Sequence, residues 1–164
     1  MSDRLDVRII TPERVIYKHE ADAVIIPGSA GEMEILPGHS ALFSGVKPGQ
    51  MCIHDGAEKK FFACGAGLAE VQHDRVILLL DSAEGNFEID PKAAAALVAE
   101  AEDRLKNLSS EDEEQRFAFE TQLATAKAKI EVYERTTEGE HEAARGFSMI
   151  SVPAVEKQDT EGKK

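Results

Sequence analysis

The 164-residue chain has no tryptophan, and aromatic residues make up only 5% of it. Its core must therefore rest on Val, Ile, Leu and Ala, and the hydrophobic fraction is still 42%. Cysteine is almost as scarce. Cys52 and Cys64 sit in strand-like runs, lack the paired spacing of a zinc site and are too few for a disulfide framework, so buried reduced thiols are expected. Basic residues are outnumbered, 19 Lys and Arg against 31 Asp and Glu, for a formal charge of −12. That deficit argues against nonspecific binding to nucleic acid or to an anionic membrane surface. No run reaches the roughly 18 apolar residues of a membrane span. The N-terminus, "MSDRLDVRII", lacks the apolar core of a signal peptide. A soluble intracellular protein is expected, and peripheral attachment to a membrane complex is compatible with that.

Signals for catalysis are also missing. None of His19, His39, His54, His73 and His141 lies at a metal-ligand spacing from another. There is no G-x-S-x-G elbow, Walker loop or dinucleotide fingerprint. "GAGLAE", Gly65 to Glu70, leads into a strand pattern, so the helix N-terminus that would bind phosphate is absent.

The chain has two halves. From Leu5 to about Glu84, runs of four to eight residues rich in Val, Ile and Phe alternate with Gly, Pro and Asp turns. "LDVRII" puts Leu5, Val7 and Ile9 on one face, and "GEMEIL" sets Met33 and Ile35 against Glu32 and Glu34. "GQMCIHDG" with "EKKFFACG", and "GLAEVQHDRVILLLD", read as hairpins. Many short antiparallel strands at this spacing predict a sandwich or flattened barrel. After Glu84 the period becomes helical. Asp90 is a candidate N-cap and Pro91 suits the first turn. Ala94, Leu97, Ala101, Leu105 and Leu108 then form one stripe. Ser110 with Glu113 reads as a capping box, and Glu111 to Glu114 as an acidic first turn. A second helix carries Phe119, Leu123, Ala126, Ile130 and Tyr133 and is expected to end at "TTEGEHEAARG". The two helices make an antiparallel hairpin that is marginally stable alone. The expected fold class is α+β: a β-sandwich over 1–86, a helical hairpin over 87–136 and a polar, mobile tail over 137–164. One apolar island, "FSMISVPAV", interrupts that tail and has no assigned role.

The stretch "PGSAGEMEILPGHSAL", Pro27 to Leu42, brings together Glu32, His39 and turn glycines. A base and an acid–base partner are conceivable there, but no nucleophile, oxyanion donor or metal set accompanies them.

In order along the chain come "TPERVIY", this Pro-Gly/Gly-Glu-Met/Pro-Gly-His stretch, "VKPG" and "GAGLAEVQHDRVILLLDSAE", then the Ala-rich helical pattern. The series, over roughly residues 3–135, resembles the epsilon subunit of the F-type ATP synthase. The resemblance implies a ten-stranded sandwich followed by two helices. It also implies a non-catalytic rotor subunit on the cytoplasmic side of the bacterial inner membrane, with no cofactor. Its partners would be the gamma subunit, the c-subunit ring and the alpha and beta subunits of the catalytic head. By the same resemblance Glu32 matches the position facing the c ring, with Glu34 beside it as a departure from the usual Gly. His39, Leu42 and Ser44 match a stretch near gamma. Arg116, Lys127, Lys129 and Arg135 are candidates for contacts with the beta subunit, against the alternative of a solvated helix face. Ile89 and Asp90 match the family's nucleotide-sensing motif, but Ala93 stands where its Arg should be, so ATP binding is expected to be weak or absent. The alternatives are a free-standing adaptor built on the same fold and a small hydrolase using the opening loop.

Overall fold

The structure, a computed structural model, describes residues 3–109 and 112–147. Ten strands come first: β1 Leu5–Ile10, β2 Val15–Ala21, β3 Ala23–Gly28, β4 Gly31–Ile35, β5 Leu42–Val46, β6 Gly49–Asp55, β7 Glu58–Cys64, β8 Gly67–Gln72, β9 Arg75–Leu80 and β10 Ala83–Gly85. A 3-10 turn, Asn86–Glu88, leads to α1 Pro91–Asn107 and α2 Glu113–Phe147. The strand path runs β10-β7-β6-β3-β5-β8-β9-β1-β2, with β4 on the free side of β3. Between β3 and β5 a single pair, Gly28 with Val46, carries the path. The path folds there into two five-stranded layers, which agrees with the expected sandwich.

One pairing departs from the expected antiparallel pattern. β1 and β9 run parallel, from Asp6 opposite Arg75 to Ile10 opposite Leu79. Seven strands separate them in sequence, so no crossover helix is needed to bring them side by side. The alternation read from "LDVRII" holds: Leu5, Val7 and Ile9 are fully buried. They join Val24, Ile26, Ile35, Met51, Ile53, Val71, Val76 and Leu78 in one apolar cluster between the layers. Both cysteines are buried and reduced. Burial pushes the Cys64 thiol up to about 11.

The glycines of "GAGLAE" serve packing. A Cβ on Gly67 would lie 2.1 Å from the Leu79 carbonyl oxygen, and one on Gly65 would lie 1.8 Å from Asp81 Oδ1. Close approach of β8 to the end of β9 requires Gly67 to be bare, whereas at Gly65 the neighbour is an exposed carboxylate that can turn aside.

The hairpin begins as expected. Asp90 Oδ1 accepts hydrogen bonds from the Lys92 and Ala93 amides at 2.9 and 3.3 Å, and Pro91 occupies the first turn. Ser110 of the expected capping box and Glu111 of the expected acidic first turn lie outside the described residues, while Glu113 opens α2. Asp112 stands just before α2, its carbonyl accepting from the Arg116 amide at 3.0 Å. The far end of α2 differs from expectation. The helix passes through Thr136 and Thr137 and continues to Phe147. Both threonine hydroxyls donate back to carbonyls one turn earlier, Val132 at 2.9 Å and Tyr133 at 2.8 Å. Their polar groups are thus satisfied without a break in the helix.

Gly67→Ala is expected to cost about 3 kcal/mol, because the clash is with backbone. Urea unfolding of the purified chain checks this, and a shift below about 0.5 kcal/mol would mean that the strands separate without strain.

Candidate functional site

α2 has two working faces, and the sequence stripe captured one. Along the α1 side, Ala126 is buried, as are Ala94 and Ala101 of α1. Alanine at the seam lets two helices approach closely, with little area buried. About half a turn round, Ala128 and Val132 pack with Ala63 of β7, Ile89 before α1 and the half-buried Phe61. This second cluster holds the hairpin folded back on the β6–β7 layer.

The basic residues singled out on α2 flank that seam. Lys129 Nζ reaches Glu84 Oε1 at 2.7 Å, tying the helix to β10. Lys127 Nζ lies 3.3 Å from Glu102 Oε1 of α1. The Arg135 guanidinium stands over the Phe61 ring, 5.4 Å from its centroid. Arg116, in the first turns of α2, is half-buried. Ile89 belongs to the docking cluster, Asp90 is the N-cap of α1, and Ala93 is exposed on its first turn. Each thus has a structural task or a bare methyl, and no guanidinium stands at the motif's Arg position.

Glu32 and Glu34 are exposed on β4, an edge strand, while Met33 and Ile35 turn inward. Glu34 pairs across with Ile25 and Glu32 with Pro27. Charge on an edge strand discourages pairing with a second sheet. His39 sits beyond the other end of β4 from Glu32, in the Pro37–Gly38 turn, and its Nδ1 lies 2.7 Å from the Ser40 carbonyl. The two are not brought together as an acid–base pair. Sequence reasoning missed what holds that turn. Asp74, at the tip of the β8–β9 hairpin, accepts from the Gly38 amide at 2.6 Å, and its carbonyl accepts from the Asp6 amide at 2.8 Å. His73 and Asp74 both have positive φ, 49° and 59°, as a tight hairpin turn requires.

Leu42 and Ser44 lie on the side of β5 opposite Val71 and Ala69, and Leu42 packs against the core. The solvent side of β5 belongs to Phe43, which is 69% exposed. Phe43 stands beside a feature visible only through strand register. Leu68 pairs with Leu79, Leu79 with Ile10 and Ile10 with Val15, which places one apolar row across four adjacent strands. Leu68, Leu79 and Val15 are all strongly exposed. Asp6, Arg8 and Arg75 border this face in an ion-paired group, and the hydrogen bond from Arg8 holds the Asp6 carboxyl below its ordinary value.

Among the described residues no cluster of His, Cys, Asp or Glu could hold a metal ion. No described helix is long and apolar enough to cross a membrane.

A ten-stranded sandwich with one bare apolar face, an acidic edge and a docked helical hairpin defines the class of fold. The family model for the ATP synthase delta/epsilon chain β-sandwich domain matches residues 4–103. The chain is 36% identical over 138 residues to the ATP synthase epsilon chain of Acidithiobacillus ferridurans, covering 84% of this chain and 96% of that one. It is 36% identical over 124 residues to the epsilon chain of Myxococcus xanthus, covering 76% and 88%. A chain in the cryo-EM structure of Euglena gracilis mitochondrial ATP synthase shares the fold at TM-score 0.67 and 21% identity, covering 84% of this chain and 83% of that one. The chain belongs to the ATP synthase epsilon-chain family.

Thiol labelling reads the hairpin seam. Cys52 lines the cleft beside Glu131 and Arg135 of α2, whereas Cys64 lies in the sandwich core. At pH 8 Cys64 is expected to stay unlabelled until global unfolding, since its raised pKa keeps it protonated and burial blocks access. Lys129→Met is expected to speed Cys52 labelling several-fold and leave Cys64 unchanged. Equal acceleration of both would mean that the hairpin and sandwich open together.

Proposed function

We propose that the chain is a non-catalytic central-stalk subunit of a proton-translocating F-type ATP synthase, acting on the cytoplasmic side of the bacterial inner membrane. Residues 1–86 would join the gamma subunit and the c ring, and the helices from residue 87 onward would restrain ATP hydrolysis through contacts with the alpha and beta subunits. The apolar row of Leu68, Leu79, Ile10 and Val15 carries this reading. The helical hairpin leaves this row bare, and an exposed contiguous apolar face on a small acidic protein calls for a macromolecular partner. Gamma is the partner assigned to it, with Phe43, and with His39, Leu42 and Ser44 on the adjoining loop and strand. Glu32 and Glu34, on the outer edge at β4, are assigned to the c ring.

The regulatory part rests on the seam of α2. Lys127, Lys129 and Arg135 now face Glu102, Glu84 and Phe61. Undocking would free them, with Arg116, for acidic residues of the beta subunit. The exposed Lys127–Glu102 pair exchanges partners at little net cost, while the partly shielded Lys129–Glu84 pair and the Arg135–Phe61 contact must be broken.

Leu79→Asp is expected to leave the fold intact and to weaken co-purification with gamma and the c ring at least tenfold after gentle solubilisation. Undiminished co-purification would move the gamma contact elsewhere, and capture of an unrelated complex alone would favour the adaptor reading. Truncation after Asp90 is expected to preserve assembly and raise ATP hydrolysis by the complex. An unchanged rate would show that the hairpin is not the restraint. Calorimetry on the isolated chain is expected to give no submillimolar affinity for ATP, because Ala93 offers no cation to phosphate.

A further inference from the structure

Two members of the apolar row, Ile10 and Val15, pair with each other across the β1–β2 turn. That turn is clasped. The Thr11 amide and hydroxyl both donate to the Arg14 carbonyl, at 3.0 and 3.1 Å, and the Arg14 amide donates back to Thr11 Oγ1 at 3.3 Å. The clasp fixes the backbone of Arg14, the residue next to Val15. Its guanidinium reaches Glu88, and that hydrogen bond holds the Glu88 carboxyl below its ordinary value. Glu88 stands at the junction of sandwich and hairpin. Its second carboxylate oxygen accepts from the Gly85 amide at 3.3 Å, within the 3-10 turn that follows β10. The next residue, Ile89, is buried in the docking cluster with Ala63, Ala128 and Val132, and Asp90 then caps α1. Glu84, on the other side of the turn, holds Lys129 of α2 and also acts on the Arg14 charge.

We propose that the Arg14–Glu88 pair is a strut that couples the apolar row to docking of the hairpin. A partner seated on Ile10 and Val15 steadies Arg14, Arg14 steadies Glu88, and Glu88 presents Ile89 to the seam. The partner is gamma, so the inference rests on the reading of the row given above. In the free chain the strut joins two half-exposed side chains, and the entropy lost on ordering them offsets much of their attraction. With the turn already immobilised by a partner, that loss is smaller and the pair holds more firmly. The coupling is reciprocal, so a docked hairpin strengthens gamma binding by the same factor.

The row lies on the layer of β8, β9, β1 and β2, whereas Cys52 lies on β6 in the other layer, in the cleft beside α2. A partner on the row does not touch that thiol, so a change in its labelling is transmitted through the protein. Labelling is measured on the full-length chain alone and saturated with gamma. The c ring is left out, because Glu32 lines the same cleft as Cys52. Gamma is expected to slow Cys52 labelling about threefold or more. Arg14→Met keeps the row and the Thr11 clasp. It is expected to bind gamma, to label about two- to fivefold faster when free, the range of an exposed ion pair, and to lose the slowing by gamma. Glu88→Gln, which keeps an oxygen for the Gly85 amide, is expected to act in the same direction, and the double variant to add little to Arg14→Met. An unchanged Cys52 rate in the gamma-bound chain would overturn the coupling. Slowing that survives Arg14→Met would overturn the strut, as would equal acceleration of Cys64, which would place the effect in the sandwich core. Co-elution with gamma is scored first: its failure in the unaltered chain would sink the reading of the row and this inference with it.

Discussion

The architecture depends on the fact that the sandwich closes its core without the helices. Among the described residues, eighteen buried ones form the cluster between the layers, and all of these come from strands. The hairpin adheres through a separate cluster of four, Ala63, Ile89, Ala128 and Val132, with Phe61 alongside. Burying one Ile and one Val is worth about 1.5–3 kcal/mol each, and the partly exposed Lys129–Glu84 pair adds about 1 kcal/mol or less. These gains oppose the cost of ordering the hairpin against the sheet. The strand core itself draws on no helix residue. The apolar residues are thus divided between a strand core and a separate hairpin seam.

The residues that first suggested chemistry are not assembled into a catalytic group. Gly67 of "GAGLAE" lets β8 approach β9, and the Pro37–Gly38 turn shapes the end of the sandwich where Asp74 fastens the Gly38 amide. Glu32 sits near the start of β4, and His39 lies four residues beyond its end. The informative surfaces are instead an apolar row on one layer, two carboxylates on an outer edge and an arm on the other layer.

Much of this was legible in the sequence, and the gaps have physical causes. Period-2 alternation placed Leu5, Val7 and Ile9 inside and Glu32 and Glu34 outside. Asp90 followed by Pro91 marked the start of α1. The second face of α2 went unseen because Ala128 gives no hydrophobic signal and Val132 lay off the stripe already assigned to α1. The row Leu68–Leu79–Ile10–Val15 could not be read either. Each member looked like an ordinary strand residue, and only the register of four strands, one pair of them parallel, brings them together. The end of α2 was misjudged because Thr136 and Thr137 are poor helix formers by propensity, yet their hydroxyls bond to the preceding turn. Leu42 and Ser44 were chosen by resemblance, whereas alternation along β5 turns Phe43 between them to solvent.

Native-state hydrogen exchange on the isolated full-length chain, followed residue by residue in low urea, tests the central claim most directly. Amides of α1 and of α2 up to Thr136 are predicted to open together at a free energy a few kcal/mol below that of β1, β8 and β9, and Val132→Ala is predicted to lower the opening energy of the helices alone. A single opening energy shared by helices and sandwich, lowered in both by Val132→Ala, would contradict the account.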